Sequence, residues 1–242
     1  YLELGSICKK FPTVPITIAS ASITPFTCDK ILSLLGMDKS ELEIISSTLN
    51  RPNLRYHVVP SMRSHKATIE AIVQFITNHH LEEPGIIYCT TKEKCDIIVT
   101  GLVSYELKAE AYYSTANNKP QIVQAWRNNT CHIIVATIAF GLGIDKPDVY
   151  DWKAPQRHWW YSTHTPGQSP EQSAHQALST LSMSQFSIDL VNCRRTLLLK
   201  NFGEEFDPSL CNSCCDNCSL KYAVGAYDFA QAAKDFVAMI KE

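Results

Sequence analysis

A cluster of cysteines near the C-terminal end holds the residues best suited to chemistry. The chain has ten cysteines, and five of them lie between positions 193 and 218. A structural zinc ion binds four thiolates, usually with one pair separated by two residues, and Cys215 and Cys218 have that spacing. The first residues show no secretory signal pattern, which favours a metal over disulfides. The sequence therefore predicts a zinc site with four ligands: Cys193, Cys211, Cys215 and Cys218.

The choice between two adjacent thiols stays open at this point. Cys214 would form a second two-residue spacing with Cys211, but Cys218 would then pair at a spacing of four. In a further alternative, the five thiols pack together without a metal. The other five cysteines stand in apolar or helical surroundings, where a free cysteine packs as a small hydrophobic residue: Cys8, Cys28, Cys89, Cys95 and Cys131.

The composition describes a chain that can bury a core. Apolar residues make up 45% of its 242 residues and charged residues 19%, which excludes wholesale disorder. The net charge is −2, so any contact with nucleic acid must come from local patches. The longest apolar run, residues 133–144, is far shorter than the ~20 residues that span a bilayer, so we expect no membrane segment. The chain begins without Met, and we interpret it as a piece of a longer protein.

Short apolar runs alternate with helical patterns after Pro84 and define the fold class. Residues 85–89, 109–113 and 132–137 are compact and apolar, and the segments between them have helical spacing. This alternation predicts an α/β fold with a parallel sheet covered on both faces, and ligand sites at the carboxyl ends of its strands.

The flanking segments are less regular. We expect a buried strand at residues 14–19, a helix that begins at Pro25 and ends near Gly36, a strand at 54–59 and a helix over 62–79. Residues 152–184 are rich in Gln, Ser, His and Pro and predict a loop or insert. Its aromatic cluster at 159–161 is either a packing patch or a platform on which bases stack.

Three motifs together resemble the RecQ-family DNA helicases of the eukaryotic, Bloom-like type. They are GIIYC at 85–89, ATIAFGLGIDKPDV at 136–149, and CRRTLLLKNFGE at 193–204 followed by the later cysteines. Upstream, residues 11–25 are similar to the family's motif III region and NRPNL at 50–54 to the motif that joins its two lobes. The resemblance covers nearly the whole chain except residues 152–184.

The resemblance implies a domain order and an activity. The fold would be a RecA-like parallel-sheet lobe, then a small helical zinc-binding subdomain and the start of a winged helix. The activity would be ATP-dependent 3′-to-5′ unwinding of single-stranded or branched DNA in recombination and repair, in the nucleus. The implied boundaries are the tail of the first lobe at 1–25, the linker and second lobe at 26–150, an irregular insert at 151–185, the zinc subdomain at 186–220 and the winged helix from 221 to 242.

Roles for individual residues follow from the same resemblance. In the loop after residue 136, two glycines let the backbone approach a nucleotide closely, and a carboxylate can accept a hydrogen bond from a ribose hydroxyl. Hydroxyl side chains in this loop and in motif III would contact DNA phosphates, which position DNA without reading its sequence. The implied cofactors are ATP with Mg²⁺, and Zn²⁺. The nucleotide residues are Gly141, Gly143 and Asp145, and the DNA residues are Ser20, Ser22 and Thr137.

The sequence also departs from the pattern that ATP hydrolysis needs. It contains no GxxxxGK[ST] loop and no DEAH box. The family's arginine-finger motif, QxxGRxGR, should follow the glycine loop, but residues 164–176 read HTPGQSPEQSAHQ. Arg157 is the only arginine between Asp145 and Cys193. We therefore predict that this chain alone does not hydrolyse ATP or unwind DNA.

Three functional hypotheses remain at this point. The chain is a fragmentary or altered RecQ-like helicase, a non-catalytic relative that binds DNA or a partner, or a zinc-stabilised interaction domain without a nucleotide role. Within the third motif, Arg194 and Arg195 either hold a phosphate or pair with Glu204 or Glu205 to brace the subdomain, and we favour bracing.

Overall fold

The computed structural model describes residues 5–11, 13–141, 146, 150–153 and 170–221. The chain forms two compact units. The first combines residues 1–58 with residues 168–242, and the second consists of residues 59–167. The predicted winged helix, beyond residue 221, lies outside the described residues, and so does the aromatic cluster at 159–161.

The second unit is built around a parallel sheet. Its four strands lie in the order β2-β3-β1-β4, and all three pairings are parallel, with Ile87 opposite Val135 in the central pair. The prediction of an α/β fold with a parallel sheet is confirmed. Along the chain, the elements are α3 (His65–His79), β1 (Gly85–Tyr88), α4 (Lys92–Ser104), β2 (Ala109–Tyr112), α5 (Lys119–Arg127), β3 (Ile133–Ala136) and β4 (Tyr150–Lys153).

Helices cover both faces of this sheet. All four residues of β3 are buried, and alternate ones belong to different clusters. On one face, Val135 packs in a cluster with Ile72 and Leu102 from α3 and α4. On the other face, Ile134 and Ala136 pack with Trp126 and Phe140, whose rings meet edge to face at 5.6 Å. A strand buried on both sides explains why its sequence is continuously apolar instead of alternating.

The first unit contains short helices. Its helix α2 begins at Pro25, where Thr24 Oγ1 accepts the N–H of Thr27, and it ends at Gly36, which adopts a left-handed φ of 68°. Both boundaries match the sequence prediction. The helices are α1 (Gly5–Lys10), α2 (Pro25–Leu35), α6 (Pro170–Ile188), α7 (Arg194–Lys200) and α8 (Asp216–Leu220), with 3-10 turns at Lys39–Glu41 and Pro208–Cys211.

Three predicted elements differ in the structure. Residues 14–19 form no strand, and Val14, Ile16 and Ile18 are 38–56% exposed. Residues 54–59 contribute only a single bridge, from Tyr56 to Cys215. The prediction of a loop or insert at residues 152–184 is also wrong in part. Strand β4 lies at the start of this range, and the 19-residue helix α6 lies at its end. Alanine, leucine and glutamine in this helix have high helix propensity. The many serines have a lower propensity, and they led to the prediction of a loop.

No helix in the described part of the chain is both long and apolar enough to cross a bilayer.

Candidate metal centre and phosphate loop

Four cysteine sulfurs converge in the first unit. The Sγ atoms of the four predicted ligands all lie within 4.8 Å of one another, and three of the four residues are buried. Two of them directly precede helices, Cys193 before α7 and Cys215 before α8, so local backbone turns aim their side chains inward. Cys211 ends a 3-10 turn, and Cys218 lies inside α8.

The donor set fits a zinc ion. Four thiolates at a Zn–S distance of about 2.3 Å have S···S separations of about 3.8 Å in a tetrahedron, and the observed cluster needs little contraction to reach them. Cys214 packs against this cluster, but its Sγ is not one of the four that converge. It is half-buried, and its Sγ lies 3.8 Å from the carbonyl oxygen of Asn212. The geometry therefore favours Cys215 over Cys214 as the fourth donor.

The start of α7 provides hydrogen bonds for one of these sulfurs. The backbone amides of Arg195 and Thr196 donate to Cys193. Burial alone would raise the pKa of the Cys193 thiol, but these amides and the neighbouring thiols lower it below its usual value. A thiolate at this position suits metal ligation, since the thiolate is the form that binds metals.

A buried ion pair braces the cluster. Arg194 is fully buried, and its Nε and Nη2 donate to the two carboxylate oxygens of Asp216 at 2.9 and 3.2 Å. The carboxylate also accepts the backbone N–H groups of Val58 and Asn217, both at 2.8 Å. Burial would raise the pKa of Asp216, but the Arg194 guanidinium and these amides outweigh it, so the pKa is lowered.

The second arginine holds a separate segment of chain. The guanidinium of Arg195, which is 3% exposed, donates to one side chain and three carbonyls of residues 50–54. Glu204 accepts from the backbone N–H of Leu49 at 2.8 Å and from the hydroxyl of Thr48. The partners of Arg195 are Asn50 Oδ1 and Arg51 O, both at 2.7 Å, Pro52 O at 3.2 Å, and Leu54 O.

These contacts correct one expectation. Bracing is right, but the predicted pairing of the two arginines with Glu204 or Glu205 is wrong: Arg194 pairs with Asp216, and Glu204 binds residues 48–49. Sequence reasoning missed the role of Asp216 and the contacts that segment 48–58 makes with the cysteine-rich part of the chain. A signal was available in the Asp-Asn pair between two of the candidate ligands, since small polar residues there often cap a turn.

The glycine loop begins where β3 ends. Thr137 follows the strand directly, its N–H bonds to the carbonyl of Tyr112, and its own carbonyl accepts from Phe140. Gly141 adopts a φ of +146°, and a Cβ there would lie 3.3 Å from the Tyr88 hydroxyl. Thr137 and Gly141, both predicted site residues, therefore lie in one turn at the carboxyl end of the sheet. Gly143 and Asp145 lie outside the described residues.

We expect Gly141→Ala to lower the free energy of unfolding of the second unit by about 1–3 kcal/mol, because a non-glycine residue is strained at this φ. The added methyl group also presses on the Tyr88 hydroxyl, which donates to Phe140 O at 3.1 Å. Urea unfolding followed by circular dichroism measures the change. Ala139→Ser, an exposed substitution in the same turn, is the control and should change stability by less than about 0.5 kcal/mol.

The remaining predicted residues lie in the first unit. Ser20 and Ser22 are exposed in a turn, where Ser20 Oγ donates to the carbonyl of Ser22 at 3.0 Å. The scattered cysteines fit their predicted packing role best in the second unit. Cys89, Cys95 and Cys131 are buried there, and burial raises the pKa of the Cys131 thiol to about 11. Cys8 and Cys28 are half-buried.

Two family models match this chain. The helicase conserved C-terminal domain matches residues 67–151, and the RecQ zinc-binding domain matches residues 155–219. The first range contains strands β1 to β3 and the start of β4, and the second contains all four clustered cysteines. Fold and cluster therefore define a C-terminal helicase lobe followed by a zinc-binding domain.

Several proteins that are similar to this chain are named as DNA helicases. Over the whole of this chain, the RecQ-like DNA helicase BLM of Xenopus laevis is 30% identical, and the ATP-dependent DNA helicase Q-like 4B of Arabidopsis thaliana is 29% identical. The ATP-dependent DNA helicase hus2/rqh1 of Schizosaccharomyces pombe is 28% identical over the same extent. The chain is therefore similar over its whole length to RecQ-like DNA helicases, and it contains a match to the RecQ zinc-binding domain. It spans 20% of the Xenopus and yeast proteins and 25% of the Arabidopsis protein.

Proposed function

We propose that this chain provides the second helicase lobe and the zinc-binding domain of a RecQ-type ATP-dependent DNA helicase. The convergence of four cysteine sulfurs within the matched zinc-binding domain is the observation that carries the proposal. The relatives are named as DNA helicases, so the substrate would be DNA. The resemblance of the sequence motifs further implies single-stranded or branched DNA and unwinding in the 3′-to-5′ direction. Recombination and repair in the nucleus would be the setting.

Each predicted site has a role in this proposal. Gly141, Gly143 and Asp145 would bind ATP, whose Mg²⁺ ligands are not among these residues. Thr137, at a strand end, would hold a DNA phosphate with its hydroxyl, since its backbone N–H already donates to Tyr112 O. Ser20 and Ser22 would contact DNA from the first unit. When bound, zinc would supply structural cross-linking rather than catalysis, through Cys193, Cys211, Cys215 and Cys218.

The domain boundaries predicted from the sequence are proposed with one adjustment. The tail of the first lobe would be 1–25, the linker and second lobe 26–150, the zinc subdomain 186–220 and the start of a winged helix 221–242. Residues 48–58 contact the zinc subdomain directly, so we assign that part of the linker to it.

These 242 residues would not hydrolyse ATP on their own. They lack the phosphate-binding lysine loop, the acidic box and the glycine-flanked arginines. An arginine finger alone contributes about 10³–10⁵ to the rate in related phosphoryl transfers. The alignment with the Arabidopsis relative covers 290 positions although this chain has 242 residues, so the relative contains segments that are absent here. The alternative function is therefore a zinc-stabilised module that binds DNA without turnover.

An ATPase assay with and without single-stranded DNA, combined with a titration of DNA binding, tests both the expected lack of turnover and the DNA site. We expect no DNA-stimulated turnover, together with DNA binding that weakens steeply as salt rises, because phosphate contacts release counterions. Stimulated turnover would show that the missing arginine finger is replaced by another group. Absence of binding to both DNA and nucleotide would leave only an interaction domain.

Thr137→Val tests the phosphate contact with almost no change in shape. We expect it to weaken binding of a fluorescently labelled oligonucleotide by about tenfold, the equivalent of one charge-assisted hydrogen bond of about 1.5 kcal/mol. Fluorescence anisotropy at two salt concentrations measures the affinity. Thr130→Val, in an exposed turn of the same unit, is the matched control. Equal affinity for the Thr137 variant and the native chain would remove Thr137 from the DNA site.

A further inference from the structure

Two of the clustered cysteines are each linked to a residue that holds segment 48–58. Cys193 directly precedes helix α7, whose second residue is Arg195, and the Arg195 side chain binds residues 50–54. Cys215 is followed by Asp216, whose N–H donates to Tyr56 O at 3.0 Å. The Asp216 carboxylate accepts the N–H of Val58. One short segment is therefore attached to both halves of the cysteine cluster.

The shape of this segment depends on those attachments. Among the described residues, 48–58 lie in no helix and form only the single bridge at Tyr56. Three carbonyl oxygens, at residues 51, 52 and 54, point at the guanidinium of Arg195 instead. A guanidinium offers five donors in a planar fork, so one side chain can satisfy acceptors that a sheet or helix would otherwise satisfy. The guanidinium also lies 5.4 Å from the centre of the Tyr56 ring.

We propose that Arg195 is a positioning residue that transmits the metal state of the four-cysteine cluster to segment 48–58. Metal at the cluster fixes Cys193 and the first turn of α7, and this turn aims the guanidinium at the carbonyls of residues 50–54. Loss of the metal frees the turn and releases the segment. The segment ends where the chain enters the unit of residues 59–167, so the release frees the chain that leads into the helicase lobe. This inference rests on the zinc binding proposed above.

Hydrogen exchange of the whole chain, read by mass spectrometry, tests the coupling. In Arg195→Gln we expect zinc to remain at one ion per chain, since all four clustered cysteines are unchanged. Exchange at residues 49–58 should rise by at least about tenfold, because several charge-assisted hydrogen bonds are lost. Arg195→Lys should restore little of the protection, because an ammonium cannot reach four acceptors at once. Arg55→Gln, which changes an exposed arginine in the same segment, is the matched control.

Removal of zinc from the native chain by a chelator should raise exchange at the same residues while strands β1 and β3 stay protected. Unchanged exchange at 49–58, either in zinc-bound Arg195→Gln or after chelation, would overturn the proposal. Loss of zinc from Arg195→Gln would also overturn the proposal. Arg195 would then be required for metal binding itself, instead of transmitting the metal state to segment 48–58. A native chain that contains no zinc would instead contradict the proposed metal site, and the exchange comparison of Arg195→Gln with Arg55→Gln separates the two failures.

Discussion

Cys215→Ser is expected to remove the bound zinc and to unfold the zinc-binding domain, while Cys214→Ser keeps zinc at one ion per chain. A structural zinc site contributes about 10–16 kcal/mol of apparent binding free energy in small zinc-finger peptides. The total stability of a domain is about 5–15 kcal/mol, so loss of the metal exceeds what the remaining contacts supply. The domain is small, and its buried cluster contains three of the cysteines themselves.

Two measurements check this result. Elemental analysis of the purified chain gives the zinc content, and circular dichroism with limited proteolysis reports the fold of residues 186–220. The two variants differ by one position in the chain, which makes them a matched pair. Zinc retained at full stoichiometry in Cys215→Ser, or lost in Cys214→Ser, would reverse the assignment of the fourth ligand. Cys218→Ser should behave like Cys215→Ser.

Local patterns in the sequence were sufficient to predict the sheet and the four cysteines whose sulfurs converge. Apolar runs with helical segments between them specify parallel strands, since each strand is buried on both faces. The separation of two residues between Cys215 and Cys218 corresponds to about one helical turn, which brings the two sulfurs to the same side of α8. Spacing alone could not decide between Cys214 and Cys215. Two adjacent residues differ mainly in the direction of their side chains, and that direction depends on the backbone turn before α8.

The features that escaped prediction depend on distant parts of the chain. The Glu204 carboxylate binds residues 48–49, and Arg195 binds carbonyls about 140 positions away in the sequence. No composition or periodicity encodes such a pairing, since a backbone carbonyl has no sequence signature. At residues 14–19 the sequence pattern instead predicted a strand that does not form. Their alternation has the pattern of a strand, but a strand also needs a neighbour, and none of the described residues pairs with them.

Arg194→Gln is expected to lower the free energy of unfolding of the zinc-bound domain by about 3–5 kcal/mol. Removing one partner of a buried ion pair leaves the other charge without compensation. Asp216 would keep its two backbone amide donors but lose both guanidinium bonds, and the carbonyl of Phe186 would lose its donor. Urea unfolding at constant zinc concentration measures the effect. Lys200→Gln, at the exposed end of the same helix, should change stability by less than about 0.5 kcal/mol.

The double variant Arg194→Met with Asp216→Leu distinguishes the ion pair from the hydrogen bonds around it. If the ion pair were the only interaction of these two side chains, replacing both by apolar residues of similar volume would change the free energy of unfolding little. The cost of burying each charge would disappear together with the attraction between them. The carboxylate here also accepts the amides of Val58 and Asn217, and each unpaired buried amide costs about 1–3 kcal/mol. We therefore expect the double variant to recover only part of the stability lost in Arg194→Gln. Full recovery would mean that the Asp216 carboxylate contributes nothing by holding Val58, and that Arg195, Glu204 and the backbone bond from Asp216 to Tyr56 are sufficient to hold segment 48–58.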